Sequence, residues 1–284
     1  MGPGPDITAF FDEATNSVSY LIADPTTGAA AVIDPVLDFD LASGTVTTRS
    51  VDRILASAAD RGLRLEWSLE THAHADHLTA AAVIRERTGA KVAIGAHIAE
   101  VQEVFAPMLG VDDLAATDFD RLLDDGDTLP LGDLTIEVIA TPGHTPACVS
   151  YKVGDAVFVG DTLFMPDYGT ARTDFPGGSA ATLHHSIERI LSLPRETRLF
   201  LCHDYKAPGR DRFAWETTVG EELDSNVHLA GKSAADFVAM RETRDATLNV
   251  PKLLYPAIQV NIRGGRLPPA EADGTRFLKI PLRA

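Results

Sequence analysis

Long apolar runs are missing from this 284-residue chain. No stretch approaches the roughly 18–20 consecutive apolar residues that span a bilayer. The N-terminal MGPGPDITAFFD lacks the basic and apolar regions of an export signal, so a cytoplasmic protein that does not engage a membrane is expected. Cysteine is nearly missing as well: Cys148 and Cys202 are the only two, too few for a disulfide scaffold. Both lie in apolar segments, ACVSYKV and RLFLC, and are expected to be buried, unreactive thiols. Basic residues are scarce, with 25 Lys and Arg against 41 Asp and Glu, a formal charge of −16. Such a chain repels phosphate backbones and has no basic stripe to offset that repulsion, which argues against nucleic acid as a partner. A small anionic substrate would be repelled at long range too, and would need arginines placed at its site.

What is present is an ordinary globular composition, 45% hydrophobic with mean hydropathy near zero. There is no internal repeat, low-complexity tract or Ser/Gly-rich linker. The length suits one domain over residues 1–284, in which 207–284 form a helical and irregular extension lying as a cover over the main body.

The segments 17–24 and 28–36 read as a strand pair joined at PTTG. Residues 50–61 carry Val51, Ile54, Leu55 and Ala58 at helical spacing, with Gly62 as a C-terminal cap. LRLEWSLE reads as a strand that delivers THAHADH at its end, with HLTAAAVIRERTG as a helix closed by Gly89. KVAIGA is a strand and HIAEVQEVF a helix, while DTLPLGDLTIEVIATPGH and PACVSYKVGDAVFVGDT read as hairpins. A helix over 180–191 and a strand over 198–202 follow.

His72, His74, Asp76 and His77 fall within six consecutive positions. On an extended segment His72 and His74 would face opposite ways, so convergence on one ion requires a loop at the strand end. A single histidine is more often a core or surface residue than a ligand. Four groups of ligand type in one short loop reverse that, because burying them without a cation costs several kcal/mol. His144 in ATPGHTPA, Asp161 in VFVGDTLF and His203 in LFLCHDY each follow a strand and complete a set of seven. Asp161 taken alone would be a turn carboxylate; the set points to a metal.

In this order, THAHADH, PGHT, GDT and CHDY resemble the H-x-H-x-D-H signature and its three distal partners in the metallo-β-lactamase superfamily, over about residues 5 to 210. The resemblance implies an α+β fold, an αββα four-layer sandwich with the metal site at one edge. Fold membership leaves the reaction open. MPDYGTARTDFPGGSAATLHHSI and CHDYKAPGRDRFAWETTVGEE resemble the persulfide dioxygenases (sulfur dioxygenases) more than the glyoxalase II hydrolases. That resemblance implies one Fe(II) per chain, held by His72, His144 and Asp161, with glutathione persulfide and O2 as substrates and sulfite and glutathione as products.

On this reading His74, Asp76, His77 and His203 orient the ligands and hold waters. All seven residues of a dinuclear hydrolase are nonetheless present. Two Zn(II), bridged by Asp161 and acting on a thioester or lactone, is therefore the alternative. A non-catalytic interaction module has little reason to keep the set, and a homodimer is compatible with the resemblance.

Glutathione's carboxylates require cations. Arg172 in TARTDF is the first choice, with Tyr205 as a hydrogen-bonding partner near the reacting sulfur. Arg210, Arg212, Arg241 and Arg244 are further cations from the tail, each read first as a solvated surface arginine. His184 and His185 read as one packed and one exposed residue, Trp67 and Trp215 as core, and Glu221 and Glu222 as a solvated helix face. His97 and His228 fit no named pattern.

Overall fold

The computed structural model describes residues 4–282. Strands β1 (Asp6–Asp12), β2 (Ser17–Ala23), β3 (Ala29–Ile33), β4 (Val36–Asp40) and β5 (Thr45–Thr47) lead into helix α1 (Arg49–Asp60). Next come β6 (Arg64–Leu69), β7 (Leu78–Thr79), α2 (Ala81–Thr88), β8 (Lys91–Gly95), α3 (Ile98–Leu109) and β9 (Arg121–Leu123). The second half holds β10 (Thr128–Leu131), β11 (Leu134–Ala140), β12 (Val149–Val153), β13 (Ala156–Phe158), α4 (Ala180–Leu191), β14 (Arg198–Phe200) and β15 (Glu216–Thr218). Three helices close the chain: α5 (Val219–Ser225), α6 (Ala234–Asp245) and α7 (Leu254–Asn261).

One sheet runs β1-β2-β3-β6-β8-β9 and the other β10-β11-β12-β13-β14-β15, with a small β5-β4-β7 sheet beside the first. Period-2 alternation sends Tyr20, Ile22, Ile33 and Leu69 toward the second sheet, where they meet Leu129, Val138, Tyr151 and Phe158. The opposite face of the first sheet presents Leu21 and Val32 to Val51 and Ile54 of α1 and Ile84 of α2. On the outer face of the second sheet, Val157 and Leu199 pack on Leu183 and Ile187 of α4 and Phe237 of α6. The order helix, sheet, sheet, helix is the expected αββα sandwich. Each buried Leu, Ile or Phe contributes about 1.5–3 kcal/mol, so the two sheets need no cross-link. Cys148 and Cys202 are accordingly buried and unpaired.

The helices follow their sequence signals where those are local. Val51, Ile54 and Ala58 form the buried stripe of α1, and Gly62 adopts φ +64° just past its end. Capping boxes Thr218/Glu221 and Ser233/Asp236 open α5 and α6.

Three local expectations give way to tertiary contacts. The apolar run 28–36 splits at Asp34-Pro35, where β3 ends and β4 turns into the small sheet. The helix expected from His77 begins only at Ala81, because Leu78 and Thr79 pair with Leu37 and Val36. Within the tail, Leu254–Asn261 form α7, with Pro256 in its first turn where no amide partner is lost. Glu222 is fully buried rather than solvated, and accepts a hydrogen bond from Asn226 Nδ2 at 2.6 Å.

α6 packs on α4, and α7 on α3 and β7. Among the described residues no helix is long and apolar enough to cross a membrane.

Candidate metal centre

The loop after β6 is fixed from both sides. Asp34, at the end of β3 with φ +50°, accepts hydrogen bonds from Thr71 N (2.7 Å) and Thr71 Oγ1 (2.8 Å). From α7, Asn261 Nδ2 donates to the carbonyls of His74 and His77, both at 2.8 Å. The other candidates arrive at the ends of neighbouring strands: His144 between β11 and β12, Asp161 in a single 3₁₀ turn after β13, and His203 after β14. Two glycines permit the approach. A Cβ on Gly143 (φ +136°) would sit 2.4 Å from Leu183 Cα, and one on Gly160 (φ +51°) 2.7 Å from Thr71 Oγ1.

All seven sequence-derived residues converge, but in two differently oriented groups. In the first, Asp161 Oδ2 lies 4.0 Å from His72 Nε2 and 3.6 Å from His144 Nε2. Donors about 2.1 Å from a shared ion are at most about 4.2 Å apart, so these three can share one. Both imidazoles are tautomerically fixed. Thr71 Oγ1 spends its proton on Asp34 and so accepts from His72 Nδ1 at 3.0 Å. The Arg172 carbonyl accepts from His144 Nδ1 at 2.8 Å. Each Nε2 is left as a lone-pair donor.

In the second group, Asp76 lies 3.4 Å from both His77 Nδ1 and His203 Nε2, and His203 Nε2 is also 3.3 Å from Asp161 Oδ1. The Ser17 hydroxyl touches His77 Nδ1 (3.2 Å), His203 Nδ1 (3.3 Å) and Asp76 Oδ2 (3.4 Å). His74 is fully buried, its Nε2 3.0 Å from Asp34 Oδ1 and 3.8 Å from Glu70 Oε2. His77 Nε2, His203 Nε2, Asp161 Oδ1 and both nitrogens of His74 are buried without a hydrogen-bond partner. Orphaned buried donors this close together are what a cation would satisfy, and the N/O set present fits Fe(II) or Zn(II).

Electrostatics follow from burial. Desolvation, reinforced by neighbouring imidazoles, holds His72 and His74 well below their ordinary pKa, so both stay neutral as metal ligation requires. Burial alone would raise Asp76, but His203 and His77 overcome it and hold its carboxyl well below the usual range. Burial likewise works against the charged form of His203, yet Asp76 and Asp161 outweigh it and raise its pKa. Glu70 is pushed up by burial and by Asp34. Burial pushes the Cys148 thiol to about 12 and holds the Cys202 thiol well above its ordinary value too, so neither is a nucleophile.

A pocket of about 290 Å³ opens onto the first group, and His72, His144, Asp161 and Asp76 form its floor. This is small-molecule size. Phe164, Tyr168, Phe175 and Tyr205 form aromatic walls, and α6 and the segment after it add Arg241, Arg244, Leu248 and Pro251. Tyr205 stacks on His203, ring centroids 5.5 Å apart.

Arg172 reaches the pocket, but its guanidinium is held bidentately by Asp174 (2.6 Å to each oxygen) and also donates to Asn249 O. Arg210 is bound by Asp204 and Asp167, and Arg241 by Asp245. Arg244 has no acidic partner within 4.0 Å among the described residues.

Ser17, Asp34, Glu70 and Thr71 belong to this site and were not singled out from sequence. Asp34 carried a usable signal, a carboxylate directly after an apolar strand and before proline. Ser17 carried none.

A sandwich with this rim of imidazoles and carboxylates defines a metal-dependent class, and the comparisons agree: the chain belongs to the metallo-beta-lactamase superfamily, whose family model matches residues 12–203. It is 52% identical over 292 residues to a protein of Burkholderia pseudomallei named "Probable metallo-hydrolase", covering 98% of this chain and 99% of that one. It is 51% identical to a beta-lactamase hydrolase-like protein of Xylella fastidiosa, of whose length it spans 65%. The mitochondrial persulfide dioxygenase ETHE1 of Homo sapiens is 31% identical over 260 residues, covering 90% of this chain and 87% of that one. Among solved structures, ETHE1 from Myxococcus xanthus superposes with a TM-score of 0.75 at 35% identity, covering 92% of this chain and 100% of that one.

Proposed function

We propose that the protein is a mononuclear non-haem iron persulfide dioxygenase that converts glutathione persulfide, O2 and water to glutathione and sulfite. The observation that carries this reading is the orientation of the donors. His72 Nε2, His144 Nε2 and Asp161 Oδ2 gather at the pocket floor, whereas His74 is turned toward Asp34 and Glu70. Two imidazoles and a carboxylate on one face are the donor set of Fe(II) oxygenases, which must keep positions free for two reactants. The identity to persulfide dioxygenases supports the same reading. When bound there, Fe(II) would supply the redox chemistry by which O2 oxidises the outer sulfur.

The chain's own residues do the rest. Thr71 Oγ1 and the Arg172 carbonyl aim the two Nε2 lone pairs. His203 Nε2 lies 3.3 Å from Asp161 Oδ1, on the side of that carboxylate away from the first group, so Oδ2 is the oxygen that faces His72 and His144. Phe164, Tyr168 and Tyr205 exclude bulk water from the sulfur. Arg244 offers the substrate carboxylates an uncompensated charge. Arg172, already paired with Asp174, offers a weaker one. Persulfide-dependent O2 uptake with sulfite release by anaerobically purified protein tests the reading. Hydrolysis of S-lactoylglutathione with no O2 uptake would defeat it.

A second reading is supported by Asp161 itself, whose two oxygens face the two groups separately. A metal pair, one ion held by each group, would supply the activated water of a thioester or lactone hydrolase, in keeping with the hydrolase name of the Burkholderia relative.

A further inference from the structure

The matched superfamily segment ends at residue 203, yet a buried ion pair forty residues later reaches a metal-centre histidine through one peptide plane. Asp245 Oδ2 accepts from Thr173 N at 2.7 Å and from Thr173 Oγ1 at 3.0 Å. The same peptide unit carries the Arg172 carbonyl, which accepts from His144 Nδ1 at 2.8 Å. Because the peptide is planar and trans, its N–H and C=O point in opposite directions, and fixing one fixes the other. Arg241 locks the carboxylate through Nε (3.0 Å) and Nη2 (2.7 Å) to Asp245 Oδ1, and its Nη1 donates to Thr170 O at 3.0 Å. The segment is therefore gripped on both sides of the carbonyl.

We propose that Asp245, clamped by Arg241, is a positioning residue for His144: carboxylate, peptide and imidazole form one relay that sets the ring's tautomer and strengthens its Nε2 as a metal donor. The proposal rests on His144 being a ligand, as in the function proposed above. Anchoring α6 does not require the pair, since Phe237 already seats that helix in the apolar core and Ser233 and Asp236 cap it. Both members are nearly inaccessible, 2% and 5% exposed, and a buried pair is often replaceable by apolar residues without loss of stability. What such a replacement would remove is the hold on the Thr173 amide. The relay extends to a carboxylate the logic by which outer partners of ligating histidines tune a site.

The test compares two double variants, Arg241→Met with Asp245→Leu, which removes the acceptor, and Arg241→Met with Asp245→Asn, which keeps one. Neither leaves a buried charge unpaired. Metal-free protein is titrated with Co(II) against a chelator. The Leu variant should bind roughly 10–100-fold more weakly than wild type, with a displaced Co(II) absorption band, and the Asn variant should recover most of both. Equal affinity and spectra in all three, with only the melting temperature altered, would reduce the pair to scaffolding.

His144→Ala is the control. If it binds Co(II) like wild type, the metal-site reading fails; if it binds poorly and the Leu variant normally, the relay alone fails. Should the Leu variant not fold, nitrogen-15 NMR of the Zn(II)-loaded wild type decides. A proton on His144 Nδ1 and a slowly exchanging Thr173 amide are required, and a proton on Nε2 or a freely exchanging amide overturns the relay.

Discussion

The pocket-facing group (His72, His144, Asp161) and the interior group (His74, His77, His203, with Asp76 reaching the pocket floor) are built from the same residue types on the same rim, yet they are held differently. The Nδ1 atoms of His72 and His144 donate to neutral oxygens, a hydroxyl and a carbonyl, so their Nε2 atoms face the pocket as bare donors. His77 and His203 instead share Ser17 and lie against Asp76, and His74 lies against Asp34. Ligand-type residues gathered at strand ends identify a metal centre, but the partner on each ring's far nitrogen decides which of them faces the substrate.

Breaking the pocket-facing group should have the largest effect. Asp161→Ala should abolish stable iron binding, measured by metal analysis after desalting, while the protein still melts cooperatively. Breaking the interior group should cost less: His203→Ala should keep about one iron per chain and lower kcat by roughly 10–100-fold, the usual range for an outer partner. If it instead removes a second metal, the two groups are equivalent and the distinction drawn between them is wrong.

Along the pocket wall, Arg244→Ala should raise KM by roughly tenfold or more with iron content unchanged, the loss of one charge-assisted contact of about 1.5–3 kcal/mol. Truncating the Asp174-paired Arg172 to alanine should raise KM less. Sequence alone had made Arg172 the first choice. Its partner two residues on, and the occupation of its fork, become visible only once the 170–175 segment is folded.

The smallest effect comes from a buried carboxylate with no histidine beside it. Burial raises Glu222 from 4.5 to about 8. Between those values the folded chain keeps a proton that the unfolded chain has released, so stability falls as pH rises from about 4.5 and levels off above about 8. Glu222→Gln should therefore raise Tm by about a few degrees at pH 8 and by nothing near pH 4, read by calorimetry. Asp76, equally dependent on its surroundings, goes the opposite way because imidazoles face it.

Much of this was legible in the chain itself. His72, His144, Asp161 and His203 each come shortly after an apolar run, His144 and Asp161 directly after a Gly, and strand ends converge in any such sandwich. Asp34 had the same marking and could have joined them. Glu222 was misread because a helix face is defined by what packs on it, here Asn226 and the Gly169 loop to which Asn226 also donates. Ser17 and Asp245 act across 59 and 72 positions, where no local pattern points.

Metal analysis of protein purified without air tests the central claim most directly. The account predicts about one iron per chain and little zinc. Two zincs per chain would contradict it and move the assignment to the hydrolases.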